Sequence, residues 1–232
     1  MIAELSPGLI LIAGGLVTPL VPARLRPLLM LVLPLVAFTH LLTLPFGEFG
    51  QVQAMHLSLV TLRVDKLSLL FGYVFLLAAF LGGLYALHVR DAVQHSSGLI
   101  YAGSALGAVF AGDLVTLFIF WEGIAIASVF LIWAARNEHA YRAGMRYLIV
   151  QIGSGVLLLA GILIHYRQTG SIAFGAIGLG SPGAILILLA FGIKSAFPLL
   201  HNWLPDAYPE ATVSGTVLLS SFTTKVAVHA LA

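Results

Sequence analysis

Apolar residues run along this chain in long, nearly unbroken stretches, without the one-sided stripes or strict alternation of a soluble fold. Eight such runs stand out, at about residues 8–21, 28–46, 67–88, 98–112, 114–135, 145–164, 183–200 and 213–232. Most approach the roughly 20 residues that a helix needs to cross about 30 Å of hydrocarbon. A spanning segment has to satisfy its own backbone polar groups, and these runs are too continuously apolar to be the alternating strands of a barrel. The pattern therefore predicts an all-α, polytopic transmembrane bundle of about eight helices. The connection at 47–65 departs from it, mixing Gly with alternating apolar residues around His56 to Val64, and suits a short hairpin. Asp113 directly precedes Leu114 and is placed to cap the fifth helix.

Composition removes the soluble alternatives. Of 232 residues, 60% are hydrophobic and only 9% charged, with a mean hydropathy of +1.05, against about 25% charged in a soluble domain. The net charge is +2 and the basic residues are scattered singly, so no nucleic-acid footprint is present. Without cysteine the chain holds no disulfide, Cys-ligated zinc or iron–sulfur cluster. His40, His88, His139 and His165 lie near helix ends or in loops and form no metal-ligand spacing. No nucleophile–base arrangement or phosphate loop occurs, so nothing here marks the chain as an enzyme, and no cofactor or metal of its own is expected. The first run starts almost at Met1, with no basic region before it and no clear cleavage site after it, and reads as a retained span. Assigning the connections alternately puts Arg24, Arg26, Arg90, Arg136, Arg142 and Arg146 on one side and Arg63, Lys66 and Arg167 on the other. This bias places the first side in the cytoplasm and the N-terminus outside the cell (inner) membrane.

Three ionisable residues remain deep inside apolar runs: Glu122 in the fifth, Lys194 in the seventh and Lys225 in the eighth. At 1.5 Å per residue they sit about 12 to 17 Å into their helices, where a charge costs about 2.5–3.5 kcal/mol even on the most lenient scale. Such groups are either internal ion pairs that hold helices together or parts of an ion path. Ion pairs stabilise poorly once desolvation is counted, and two lysines cannot pair evenly with one glutamate. Burial also moves amines and carboxylic acids toward the range where protons exchange near neutral pH. Pro198 has no N–H to donate to the Lys194 carbonyl, so the seventh helix should break near Lys194/Pro198, and a freed carbonyl at membrane depth calls for protein or water beside it. His229 follows Lys225 by four residues, which puts both on one helix face at a spacing suited to a proton relay.

From Gly112 to Leu231 the chain resembles the antiporter-like, proton-conducting subunits shared by respiratory complex I, membrane-bound hydrogenases and Mrp-type sodium/proton antiporters. The likeness lies in Gly112-Asp113-Leu114 running into Trp121-Glu122-Gly123, Lys194-Ser195-Ala196-Phe197-Pro198-Leu199, His201-Asn202-Trp203-Leu204-Pro205-Asp206-Ala207, and Thr224-Lys225-Val226 ahead of Ala230-Leu231. Arg63-Val64-Asp65 fits as well. The resemblance implies that residues 1–96 form an N-terminal three-helix segment and 97–232 the first antiporter-like repeat. It further implies that Glu122 and Lys194 form a switching pair, that Lys225 passes protons inward, and that His201 joins a polar ladder at the cytoplasmic side. Family members carry two inverted repeats, whereas this chain stops in its eighth run. Other membrane subunits, including one supplying a second repeat, are thus the expected partners, together with the lipid bilayer; otherwise the sequence is a piece of a longer chain. The Thr-Thr-Lys eighth run favours the D-type Mrp subunit. A structural scaffold and a solute carrier with a substrate cavity are the competing function classes.

Overall fold

The structure is a computed structural model and describes residues 5–54 and 56–232. Nine helices account for most of these residues: α1 (Pro7–Val17), α2 (Arg26–Thr43), α3 (Lys66–Tyr85), α4 (Ala92–Val109), α5 (Leu114–Trp133), α6 (Glu138–Thr169), α7 (Pro182–Lys194), α8 (Trp203–Ala207) and α9 (Val213–Leu231). Of these, α2, α3, α5 and α6 are long and apolar enough to cross a membrane, while α1 and α7 are shorter apolar helices. The 32 residues of α6 extend beyond the predicted run at both ends, for a length of about 48 Å.

A hairpin between α2 and α3 amends the all-helical expectation. Strands β1 (Gly47–Ala54) and β2 (Leu57–Val64) form an antiparallel hairpin, paired from Gly47 with Val64 to Ala54 with Leu57. The alternation around His56 to Val64 was thus a true strand signal. Leu62 and Val64 point into the core, and Arg63 on the opposite face donates to the Phe174 carbonyl at 2.6 Å. Helix α7 ends at Lys194, short of the end of its apolar run at Leu200. Beyond it, Trp203-Leu204-Pro205-Asp206 opens the short helix α8.

Helix starts follow the side chains that precede them. Asp65 and Ser68 exchange 2.8 Å bonds as a capping box on α3, and Asn137, Ser181 and Thr212 accept from the first turns of α6, α7 and α9. Asp113 does more than cap. Its Oδ1 accepts from the Val115 and Thr116 amides, while its Oδ2 accepts from the Thr116 hydroxyl and from the Val60 amide of β2. Gly112 donates to the Val60 carbonyl and Leu114 to that of Ile172, so Gly112-Asp113-Leu114 ties the hairpin, α5 and the segment after α6 into one joint.

Small residues set how closely the helices approach. A Cβ on Gly8 of α1 would lie 2.3 Å from the Gly103 carbonyl oxygen of α4, so the two backbones are in direct contact. Packing continues from α4 to α5, α6 and α7, with α2 against α3, and α9 set among α3, α4, α5 and α7. Outside the helical core, Arg146 of α6 holds Asp206 of α8 through two 2.7 Å bonds. Those bonds keep the Asp206 carboxyl below its usual range, so their stabilising effect is complete at neutral pH and fades only as acid protonates the folded form.

The joint at Asp113 gives a direct test. Asp113→Ala leaves the buried Val60 amide and the first turn of α5 without their acceptor, and should cost about 2–3 kcal/mol, read as a lower unfolding midpoint of the detergent-extracted protein. Asp113→Asn, which keeps one carbonyl oxygen, should recover part of that loss.

Candidate functional site

At the centre of α5, α6 and α7 lies a lysine with no exposure at all. Lys194, the last residue of α7, is fully buried, and its Nζ donates to the Trp121 carbonyl of α5 at 2.8 Å while lying 4.2 Å from the centroid of the same tryptophan's ring. Both contacts satisfy an ammonium without a counter-ion: the carbonyl takes one N–H and the ring quadrupole faces the charge. Glu122 is the next residue along α5, and its Oε1 is shielded from solvent. They do not form an ion pair within 4.0 Å; the four such pairs among the described residues are Arg63–Asp65, Arg136–Asp91, Arg142–Glu138 and Arg146–Asp206.

Glu122 fits because α6 has no side chain opposite it. A Cβ at Gly155 would collide with Glu122 Oε1, so any side chain at this position would force the carboxylate to turn away. One turn earlier on the same face of α6 stands Gln151, also with no exposure, and Tyr147 lies one turn before that. Neither amide atom of Gln151 nor Oε1 of Glu122 has a hydrogen-bond partner among the described residues. Tyr147 in turn shares a 2.8 Å bond with Ser128, and Tyr101 of α4 shares a 2.6 Å bond with Thr223 of α9. A buried band of amide and hydroxyl groups therefore runs from the acid toward α9. Sequence reasoning missed these residues. Their signal was present as Tyr147, Gln151 and Gly155 at four-residue intervals in an otherwise apolar run.

The end of α7 explains why Lys194 sits where it does. Ala196 adopts φ +61°, its amide donates to the Ile193 carbonyl, and the Phe197 amide reaches back to Gly192 at 2.9 Å, which together form a Schellman stop built on alanine instead of glycine. Leu199 follows at φ +73°, and Trp203 Nε1 donates to the Ile193 carbonyl at 2.9 Å, returning the chain to the helix it has just left. Pro198 lies in this exposed connection.

The remaining sequence-nominated residues are not gathered with Glu122 and Lys194. Lys225 lies on an exposed face of α9 with its amine bonded to the Ser220 carbonyl at 2.5 Å. His229 is 5% exposed, its ring edge-on to Phe71 at 4.9 Å, and it borders a cavity of about 460 Å³ together with Arg63, Leu114, Phe174 and Phe191. The four-residue spacing thus does not give the two one environment, because the lysine stem extends back along the exposed side while the imidazole turns toward α3. His201 is exposed in the connection between α7 and α8.

Residues 111–232 match the family model described as NADH:quinone oxidoreductase/Mrp antiporter, TM. The chain belongs to this antiporter family. Among similar proteins is the A-type subunit of the Na(+)/H(+) antiporter of Alkalihalophilus pseudofirmus, 31% identical over 228 residues that cover 87% of this chain and 28% of that protein. NADH-quinone oxidoreductase subunit M of Escherichia coli strain K12 is 30% identical over 196 residues, covering 74% and 38%. The fold matches a chain in the structure of the Mrp complex from Dietzia sp. DQ12-45-1b with a TM-score of 0.82 at 22% identity, over 99% of this chain and 47% of that one. This antiporter-family chain thus spans about half or less of the proteins it matches, and it is an integral membrane protein.

Because alanine is unfavourable at positive φ, Ala196→Gly should stabilise the end of α7 by about 1 kcal/mol and raise the unfolding midpoint. Ala196→Val should lower it.

Proposed function

We propose that this chain is the first half of a proton-translocating membrane subunit in a multi-subunit cation/proton antiporter of the Mrp type or a related redox-driven ion pump. The carrying observation is a fully buried amine whose carbonyl partner, Trp121, stands next to a half-buried acid, Glu122, with no ion pair closed between the two. A pair retained only to glue helices would be expected to close, since an uncompensated buried charge is costly. An open pair leaves each partner free to exchange a proton. In this reading α7 is the first part of a seventh transmembrane segment broken after Lys194, in a set of about eight spans with the N-terminus outside. Residues 1–96 form the leading three-helix segment and 97–232 the first repeat.

Protons would pass between Glu122 and Lys194 and onward through water, with Lys225, His229 and His201 as further stations. The unpartnered Gln151 amide and Glu122 oxygen support this, because buried polar atoms without protein partners are where ordered water binds. Lys225 supports the existence of a partner. An ammonium on the outward face of an apolar helix is expensive against lipid, so that face of α9 should be covered by protein, such as a second repeat on this or another polypeptide. The Mrp assignment is supported by the fold match to the Mrp complex and by the Na(+)/H(+) antiporter relative.

Transport in vesicles containing the assembled complex tests the proposal. Lys194→Ala and Glu122→Ala should leave the amount of complex unchanged and abolish ion transport; a scaffold role would instead lower the yield while the assembled remainder transports normally. Gly155→Ala should also reduce transport, by at least about tenfold, with little change in stability. The added methyl takes the place of the Glu122 oxygen, and alanine is otherwise favoured in a helix by up to about 1 kcal/mol. Full transport by Lys194→Ala would end the relay reading.

A further inference from the structure

A short chain of hydrogen bonds links the three helices around Lys194. The Trp121 indole Nε1 donates to Ser154 Oγ of α6 at 3.2 Å, and that hydroxyl donates to the Ala190 carbonyl of α7 at 2.9 Å. In helical geometry this carbonyl is the one that accepts the backbone amide of Lys194, four residues on. Lys194 then closes the circuit by reaching back across α5 to the Trp121 carbonyl at 2.8 Å, beneath the ring that Ser154 has oriented. Trp121 has no exposure and its other side lies against Phe191, ring centroids 5.2 Å apart, so it has little room to turn.

We propose that Trp121 is a positioning residue whose ring face and carbonyl form a second seat for the Lys194 ammonium, in competition with the carboxylate of Glu122 and held in register by Ser154 and the Ala190 carbonyl. This deepens the relay reading and rests on it. The seat discriminates by charge. A protonated amine gains both the carbonyl bond and the attraction of the ring, whereas a neutral amine keeps a weaker bond and loses the cation–π attraction. Glu122 directly follows the residue whose carbonyl holds the amine, so adjacent residues of α5 offer Lys194 one carboxylate seat and one seat without formal charge.

The test is the pH profile of transport by the complete complex in native membrane vesicles, from about pH 6 to about pH 9, with the amount of assembled complex measured in parallel. Trp121→Leu removes ring and N–H together, and should move the alkaline limb about one unit toward acid, because an ammonium with one partner fewer gives up its proton more readily. Trp121→Phe keeps part of the ring attraction and should shift it less. Ser154→Ala, which frees the indole, should shift it in the same direction as Trp121→Leu. If Trp121→Leu does not assemble, Trp121→Phe and Ser154→Ala decide in its place. Normal assembly with an unmoved profile in the variants that assemble would overturn the seat, as would a larger shift in Trp121→Phe than in Trp121→Leu. An inactive Lys194→Ala alongside an unmoved Trp121 profile would remove the seat and leave the relay standing, whereas full activity of Lys194→Ala would remove the relay itself.

Discussion

An ammonium group enclosed on every side by protein has to find its stabilisation locally, and the arrangement of α5, α6 and α7 answers that demand. Lys194 meets a carbonyl and an aromatic face from a single residue of α5, and no carboxylate at ion-pair distance. Neutral partners soften the cost of burial without cancelling the charge. A closed salt bridge would have been a lock. The stop at the end of α7 serves the same demand. By ending the helix at Lys194, with alanine in a conformation usually left to glycine, the chain turns away at once and leaves the amine at the tip. Strain of this kind persists only where the surroundings hold it, and here Trp203 binds the chain back to Ile193.

Features remote from the lysine serve to fix these three helices. Asp113 gives three of its acceptor bonds to the first turn of α5 and the fourth to the Val60 amide of β2, and that joint sets the height of α5, hence of Trp121 and Glu122 two turns further on. Arg146 and Asp206 fasten the short helix α8 beneath α6. Glycine at 155 then admits the carboxylate into the groove between α5 and α6. The site is a product of backbone placement as much as of side-chain chemistry, which is why its neighbours are carbonyls, a glycine and an amide rather than further charges.

Much of this was legible along the chain because it depends on one-dimensional quantities. Run length and polarity determined that the protein is helical and membrane-embedded, and alternation around His56 to Val64 pointed to the hairpin. Depth within a run singled out Glu122 and Lys194 as costly groups, and the missing N–H of Pro198 argued for a helix end close to the lysine. The motifs around Asp113, Trp121 and Lys194 carried the resemblance to the family that the chain belongs to.

Other properties depend on how helices are rotated about their axes and which neighbours they meet, and local sequence contains no record of that. Lys194 binds a carbonyl 73 positions away, every peptide has such a carbonyl, and nothing in the residues nearby marks Trp121 as the one. Lys225 and His229 share a spacing but not an environment, because α9 buries one and leaves the other outward. Gln151 and Gly155 gain their meaning only where α6 packs against Glu122. Sequence by itself determined that charges are buried in a membrane helix bundle, since cost scales with depth and composition; tertiary structure alone decided which groups face them, since that follows from packing between distant segments.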